Sequence, residues 1–207
     1  ILKFLSPERI TIEKSKIEKY QIDIKKHFLR YNFASLFSNK KYTILDAACG
    51  TGYGSFILSK YSNKVISVDN SETAIKYAKM NFKKNNITFI KKDINKLKYK
   101  KKFDMIVSIE TIEHLDKTNS IIWLKNCKKM LKNSGSIICS SPMLRLKNKK
   151  PYITNPHHLH EMRRAEFIKN LKKIFKPSVF LSFIQDGETI KPLTNEKSGL
   201  CFTYLKI

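Results

Sequence analysis

The residues of this chain best placed to do chemistry form the stretch Glu110-Thr-Ile-Glu113-His114-Leu115. It follows an apolar run at 103–109, FDMIVSI, that reads as a buried strand. Two acids and a histidine at i, i+3 and i+4 fall on one side of a helical turn. Three readings stand side by side. His114 could be a general base that takes a hydroxyl proton, with Glu110 and Glu113 orienting it. Alternatively Glu110, Glu113 and His114 could bind a divalent metal completed by a distant histidine, His158. In the third reading the turn is structural, and Glu113 and His114 hold neighbouring loops. The distant histidines exist: residues 155–161 read NPHHLHE, with His157, His158 and His160. Four of the five histidines thus lie in two segments, and the fifth, His27, sits near the N-terminus. Such clustering of imidazoles is a site signal.

A scaffold for these groups is written into residues 44–55, ILDAACGTGYGS. A short buried strand, a glycine-rich turn and a helix start make room for a nucleotide-like ligand against bare backbone. The spacing is Gly50-x-Gly52-x-Gly54, with Ala48 ahead of it, which is not the dinucleotide fingerprint. Asp46 beside the loop would repel a diphosphate and suit a ligand carrying positive charge. Residues 64–69, KVISVD, read as a second buried strand ending in Asp69, 23 positions after Asp46. An acid at the end of the neighbouring strand can accept both hydroxyls of a ribose. Asp93 closes a third strand at 87–90, with a helix cap as its competing role.

The remaining chain fits this frame. Helices are expected over 13–38 (with a break near Asn32), 54–61, 71–85, 118–131 and 163–175. Strands are expected over 42–48, 64–69, 87–90, 103–109, 136–140, 179–184 and 200–207. Strands alternating with helices imply an α/β, Rossmann-like doubly wound seven-stranded sheet, mostly parallel, ending in an antiparallel hairpin, with helices on both faces. The 207 residues predict one domain: a helical cap (1–40), a core (41–142), a loop over the acceptor (143–162), and a last helix with edge hairpin (163–207). No run of eighteen apolar residues predicts a membrane span. Four scattered cysteines read as reduced thiols in the cytoplasm. The net charge of +24 has two explanations: an anionic partner, or a lysine-rich composition, since only five of the 41 basic residues are arginine.

Taken together, PERI with RYNFA, ILDAACGTGYGS, VDNS, FDMIVSIETIEHL, SGSIICSSP and NPHHLHEM resemble the class I S-adenosylmethionine-dependent methyltransferases of bacterial surface-polysaccharide (capsule and O-antigen) clusters. The resemblance implies that Asp46, Ala48, Gly50 and Gly52 meet the methionine part of S-adenosylmethionine, and Asp69 and Asn70 its ribose. It places Asp93 and Ile94 at the adenine, Ile109 beside the cofactor, and Arg30 or Tyr31 over its carboxylate. The implied reaction is O-methylation of a sugar hydroxyl, or of a phosphate or phosphoramidate oxygen, with His114, His157 or His158 as base and Glu110 and Glu113 beside it. A metal is not expected. A second resemblance, to metal-dependent small-RNA 2′-O-methyltransferases, rests on Glu110, Glu113, His114 and His157 or His158. Against it, Met162 stands where that family has Trp. A non-catalytic partner subunit is a third reading. With so little chain to cover the acceptor, either the site stays open or a second subunit closes it.

Overall fold

The computed structural model describes residues 22–207 apart from 101, 149 and 195–198. The chain groups into two compact units that divide between Leu97 and Lys98.

The first unit opens with α1 (Ile22–Ser35), β1 (Thr43–Ala47), α2 (Tyr53–Ser59), β2 (Lys64–Asp69), α3 (Glu72–Asn81) and β3 (Ile87–Lys91). β1 and β2 run parallel with Asp46 opposite Ser67, and β3 lies parallel on the other side of β2. Nearly every side chain of β1 and β2 is buried, which is why both read as unbroken apolar runs rather than alternating ones. The Ser71 hydroxyl caps α3 by accepting the Ala74 N–H at 3.3 Å, with Glu72 in the first turn. α1 runs through Asn32 without the expected break, and the expected helical stretch 13–21 lies outside the described residues.

In the second unit come β4 (Phe103–Ser108), α4 (Lys117–Met130), β5 (Leu131–Pro142), β6 (Arg145–Lys147), β7 (Lys150–Tyr152), α5 (Arg164–Phe175), β8 (Val179–Asp186), β9 (Thr189–Pro192) and β10 (Leu200–Lys206). β4 pairs in parallel with β5, whereas β10 is antiparallel to both β5 and β8. Asp116 caps α4 by accepting the Asn119 N–H at 2.9 Å. The helix buries the only tryptophan, Trp123, whose indole N–H reaches the Ser108 hydroxyl at 3.0 Å. A buried indole needs such a partner.

Parallel strands alternating with helices and closing on antiparallel strands give the Rossmann-like class expected. The differences are local. β9 is a strand where a polar loop is expected, so the two units hold three and five strands among the described residues, apart from the β6–β7 pair, against seven predicted. β5 begins at Leu131, not 136, because the residues after α4 pair at once with β4 and absorb a register shift between Phe103 and Met105. Segment 143–162, expected to be irregular, folds part of its length into the β6–β7 hairpin, with Leu146 opposite Pro151. No described helix is long and apolar enough to cross a membrane.

Candidate cofactor and acceptor residues

In the first unit the glycine loop is built from alternating left-handed residues: Ala48, Gly50 and Gly52 have φ of 56°, 53° and 89°. The three glycines do different work. A Cβ at Gly52 would sit 2.7 Å from the Ala78 Cβ and 2.9 Å from the Phe89 ring, so this glycine lets α3 and β3 close on the loop. A Cβ on Gly54 would overlap the Tyr31 ring, so Gly54 seats α1 against α2. A Cβ at Gly50 would meet nothing within 4 Å. Open space beside a bare backbone is what a ligand against this loop requires.

Asp69 frames that space. Its carboxylate is almost wholly buried and accepts the Gly50 N–H at 2.9 Å and the Ser71 N–H at 2.8 Å. Each oxygen keeps acceptor capacity for a hydroxyl. The residues present therefore fit a nucleoside with a ribose diol at the end of β2. Asn70 follows, exposed. Asp93 is also exposed; one oxygen caps the short turn Ile94–Lys96 through the Asn95 N–H at 2.9 Å, and Ile94 is buried beneath it. The cap uses one carboxylate oxygen of Asp93, so capping does not exclude the adenine contact expected of it.

Asp46 is the penultimate residue of β1. It is fully buried, and its oxygens accept the Tyr31 hydroxyl at 3.1 Å and the Ser55 hydroxyl at 2.6 Å. Burial pushes its carboxyl up to about 7, against the pull of those two hydrogen bonds. The carboxylate thus ties α1 and α2 to β1. The Tyr31 hydroxyl is engaged by Asp46. Arg30 is buried and places Nη1 3.0 Å from Nδ1 of His27.

In the second unit Glu110, Glu113 and His114 do not share one helical face. Glu110 is left-handed at φ 48°, with its N–H donated to the Ser140 hydroxyl at 2.9 Å, and the turn Ile112–His114 begins after it. A non-glycine residue held there stores of order 1 kcal/mol of strain. Ile109 is buried one residue earlier. Glu113 is fully buried, and its carbonyl accepts the Leu159 and His160 N–H groups at 2.8 and 3.2 Å. Nδ1 of His114 lies 3.2 Å from the His157 carbonyl. The two histidine segments therefore meet, as expected. His157 takes part through its backbone, while its ring is exposed.

His158 packs edge-on against His114, with ring centroids 5.0 Å apart. Its Nδ1 is 2.7 Å from the Glu161 carboxylate, and its Nε2 is 3.1 Å from the Asn155 amide nitrogen. Glu113, His114 and His158 offer ligand atoms within 4.8 Å of one another, and Glu110 is not among them. Both ring nitrogens of His158 are engaged, so coordination there would displace Asn155. Sequence reasoning missed Asn155 and Glu161, although the His158-x-x-Glu161 spacing on a turn was a usable signal.

A family model described as a methyltransferase domain matches residues 38–194. The ubiquinone biosynthesis O-methyltransferase of Rickettsia canadensis is 31% identical over 166 residues, covering 74% of this chain and 65% of that protein. The malonyl-[acyl-carrier protein] O-methyltransferase of Priestia megaterium is 31% identical over 117 residues, covering 56% and 42%. The chain spans roughly half the length of the curated relatives it matches. Among solved structures, the N-methyltransferase NodS of Bradyrhizobium japonicum with S-adenosyl-L-homocysteine has a TM-score of 0.66 at 16% identity, covering 95% of this chain and 92% of that one. A Haloferax volcanii methyltransferase in complex with the activator Trm112 has a TM-score of 0.71 at 15% identity, covering 87% and 89%. With a glycine loop that opens onto space framed by Asp69, and with this model spanning most of its length, the chain belongs to the S-adenosylmethionine-dependent methyltransferase domain family.

Proposed function

We propose that this protein transfers a methyl group from S-adenosylmethionine to an oxygen of a small or carbohydrate-linked acceptor, a sugar hydroxyl of a bacterial surface polysaccharide precursor being the foremost candidate. The observation that carries the reading is the hydrogen bond from His114 to the His157 carbonyl. A carbonyl oxygen can only accept, so Nδ1 carries the proton and the lone pair of the neutral ring lies on Nε2. A sugar hydroxyl is a poor nucleophile at neutral pH and needs such a base.

The bound cofactor supplies an electrophilic methyl group on a sulfonium. Asp69 would hold the ribose, Asp93 the adenine edge with Ile94 against the ring, and the backbone of Ala48, Gly50 and Gly52 the methionine part. Arg30 and Asn70 complete that side. On the acceptor side His114 would take the hydroxyl proton at Nε2 as the oxygen bonds to the methyl carbon and the carbon–sulfur bond breaks with its electron pair left on the thioether product, and the His157 carbonyl would stabilise the resulting imidazolium through Nδ1–H. An acceptor that is already anionic would need no base; lysines of the +24 chain would then hold it by charge. The four cysteines are free, buried thiols, which supports a reducing, cytoplasmic setting.

The grouping of Glu113, His114 and His158 favours a second reading, metal-dependent 2′-O-methylation of small RNA. Labelled methyl transfer into nucleotide-activated sugars and into purified small RNA, each with and without chelator, separates the two. Label in sugar that survives chelation supports the proposal, and label in RNA that vanishes with chelator overturns it.

A further inference from the structure

The structure assigns Asn155 and Glu161 a joint role. They fix His158 with its hydrogen on Nδ1 and its lone pair on Nε2, both engaged, which leaves His114 as the proton acceptor of the pair. The hydrogen-bond roles follow from what each partner can do. The Glu161 carboxylate, 2.7 Å from Nδ1, accepts, so Nδ1 carries a hydrogen. The orientation of the Asn155 amide is fixed independently, because its oxygen accepts the His157 N–H at 3.0 Å. Its NH2 group therefore faces His158, and Nε2, 3.1 Å away, must accept. A proton on Nε2 would set donor against donor. The lock is well shielded: the side chains of His158 and Glu161 are only 13% and 5% exposed.

The consequence falls on His114, whose ring lies 5.0 Å from that of His158. With both ring nitrogens of His158 engaged, neither is left to take the acceptor's proton, and that task stays with Nε2 of His114. The same segment fixes the position of His114, because the His157 carbonyl accepts from its Nδ1 and the Leu159 and His160 N–H groups donate to the Glu113 carbonyl. Asn155 and Glu161 are thus positioning residues that act through His158. Their assignment rests on the base role proposed for His114.

The test is long-range 1H–15N NMR of the full chain with labelled histidine, which reports which ring nitrogen bears hydrogen. In the wild type His158 should carry it on Nδ1 alone; hydrogen on Nε2, or on both, overturns the assignment. Asn155→Asp replaces the donor by an acceptor and should put hydrogen on both nitrogens. Turnover in the sugar assay should then fall about tenfold or more, with S-adenosylhomocysteine affinity kept within about twofold. Glu161→Gln keeps an acceptor oxygen and should retain the tautomer and most of the turnover, whereas Glu161→Leu should lose both. An Asn155→Asp protein that changes tautomer and still turns over like the wild type overturns the catalytic link. A wild-type chain that fails to bind S-adenosylhomocysteine sinks the methyl-transfer reading instead, and the spectra still decide the ring assignment.

Discussion

Asp46→Asn should make the protein more stable at neutral and alkaline pH, and the gain can be worked from the structure. The Asp46 carboxyl is raised from an ordinary 3.8 to about 7 by complete burial. The folded chain therefore holds this proton more tightly than the unfolded chain does. The associated stability is fully present below about pH 4, and it drains away as pH rises towards 7. At about 1.4 kcal/mol per pH unit, the loss over that window approaches ~4 kcal/mol. An asparagine keeps both hydrogen bonds: its oxygen accepts from the Tyr31 hydroxyl, and its amide donates to Ser55. The variant has no charge to bury, so at pH 8 it should exceed the wild type by about 2–4 kcal/mol. For a chain of this size that corresponds to roughly 5–15 °C in Tm. Thermal unfolding of both proteins from pH 4 to 8 measures it. Taking the difference between the two curves cancels every other titrating group. The curves should meet near pH 4 and diverge above it, and a constant offset across the range would refute the reasoning.

Further expectations concern the loop and the histidine. Gly50→Ala should cost about 1–2 kcal/mol of stability, because a side chain there is left-handed but unhindered, and it should sharply weaken S-adenosylhomocysteine binding in calorimetry. Gly54→Ala pushes into the Tyr31 ring and should lower stability in urea unfolding by about 1–3 kcal/mol. Asp69→Ala should weaken cofactor binding by roughly 1–3 kcal/mol, as expected for loss of a carboxylate that accepts hydroxyl hydrogen bonds; unchanged affinity would move the ribose elsewhere. His114→Ala should reduce turnover about a hundredfold with cofactor affinity preserved, whereas a purely structural His114 would lower stability and affinity together.

Much of the fold could be read from one-dimensional signals. Residues 64–69 form β2 with the predicted bounds because a strand buried on both faces leaves an uninterrupted apolar run. Ser71 announces α3 by a local cap. What escaped depends on partners distant in sequence. β9 is polar, and only its pairing with β8 makes it a strand. Nothing local to Asp46 reveals that Tyr31, 15 residues earlier, donates to one of its oxygens. Spacing alone puts Glu110 on a helical turn, whereas its hydrogen bond to Ser140 holds it in a left-handed bend. The left-handed turn at Gly50 and Gly52 and the acid closing β2 at Asp69 were legible because both belong to backbone geometry at a strand end, which spacing encodes.

The Leu144 N–H donates to the Met162 carbonyl at 3.1 Å, so segment 145–161 leaves and rejoins the second unit at a single clasp. Within it, the β6–β7 hairpin is exposed on both faces, while residues 155–161 are bolted to the turn that carries His114. Lengthening a loop between fixed ends costs little, about 0.6 kcal/mol per doubling. The hairpin is therefore an exchangeable cassette. Evolution or an engineer can resize it without disturbing the turn that carries His114.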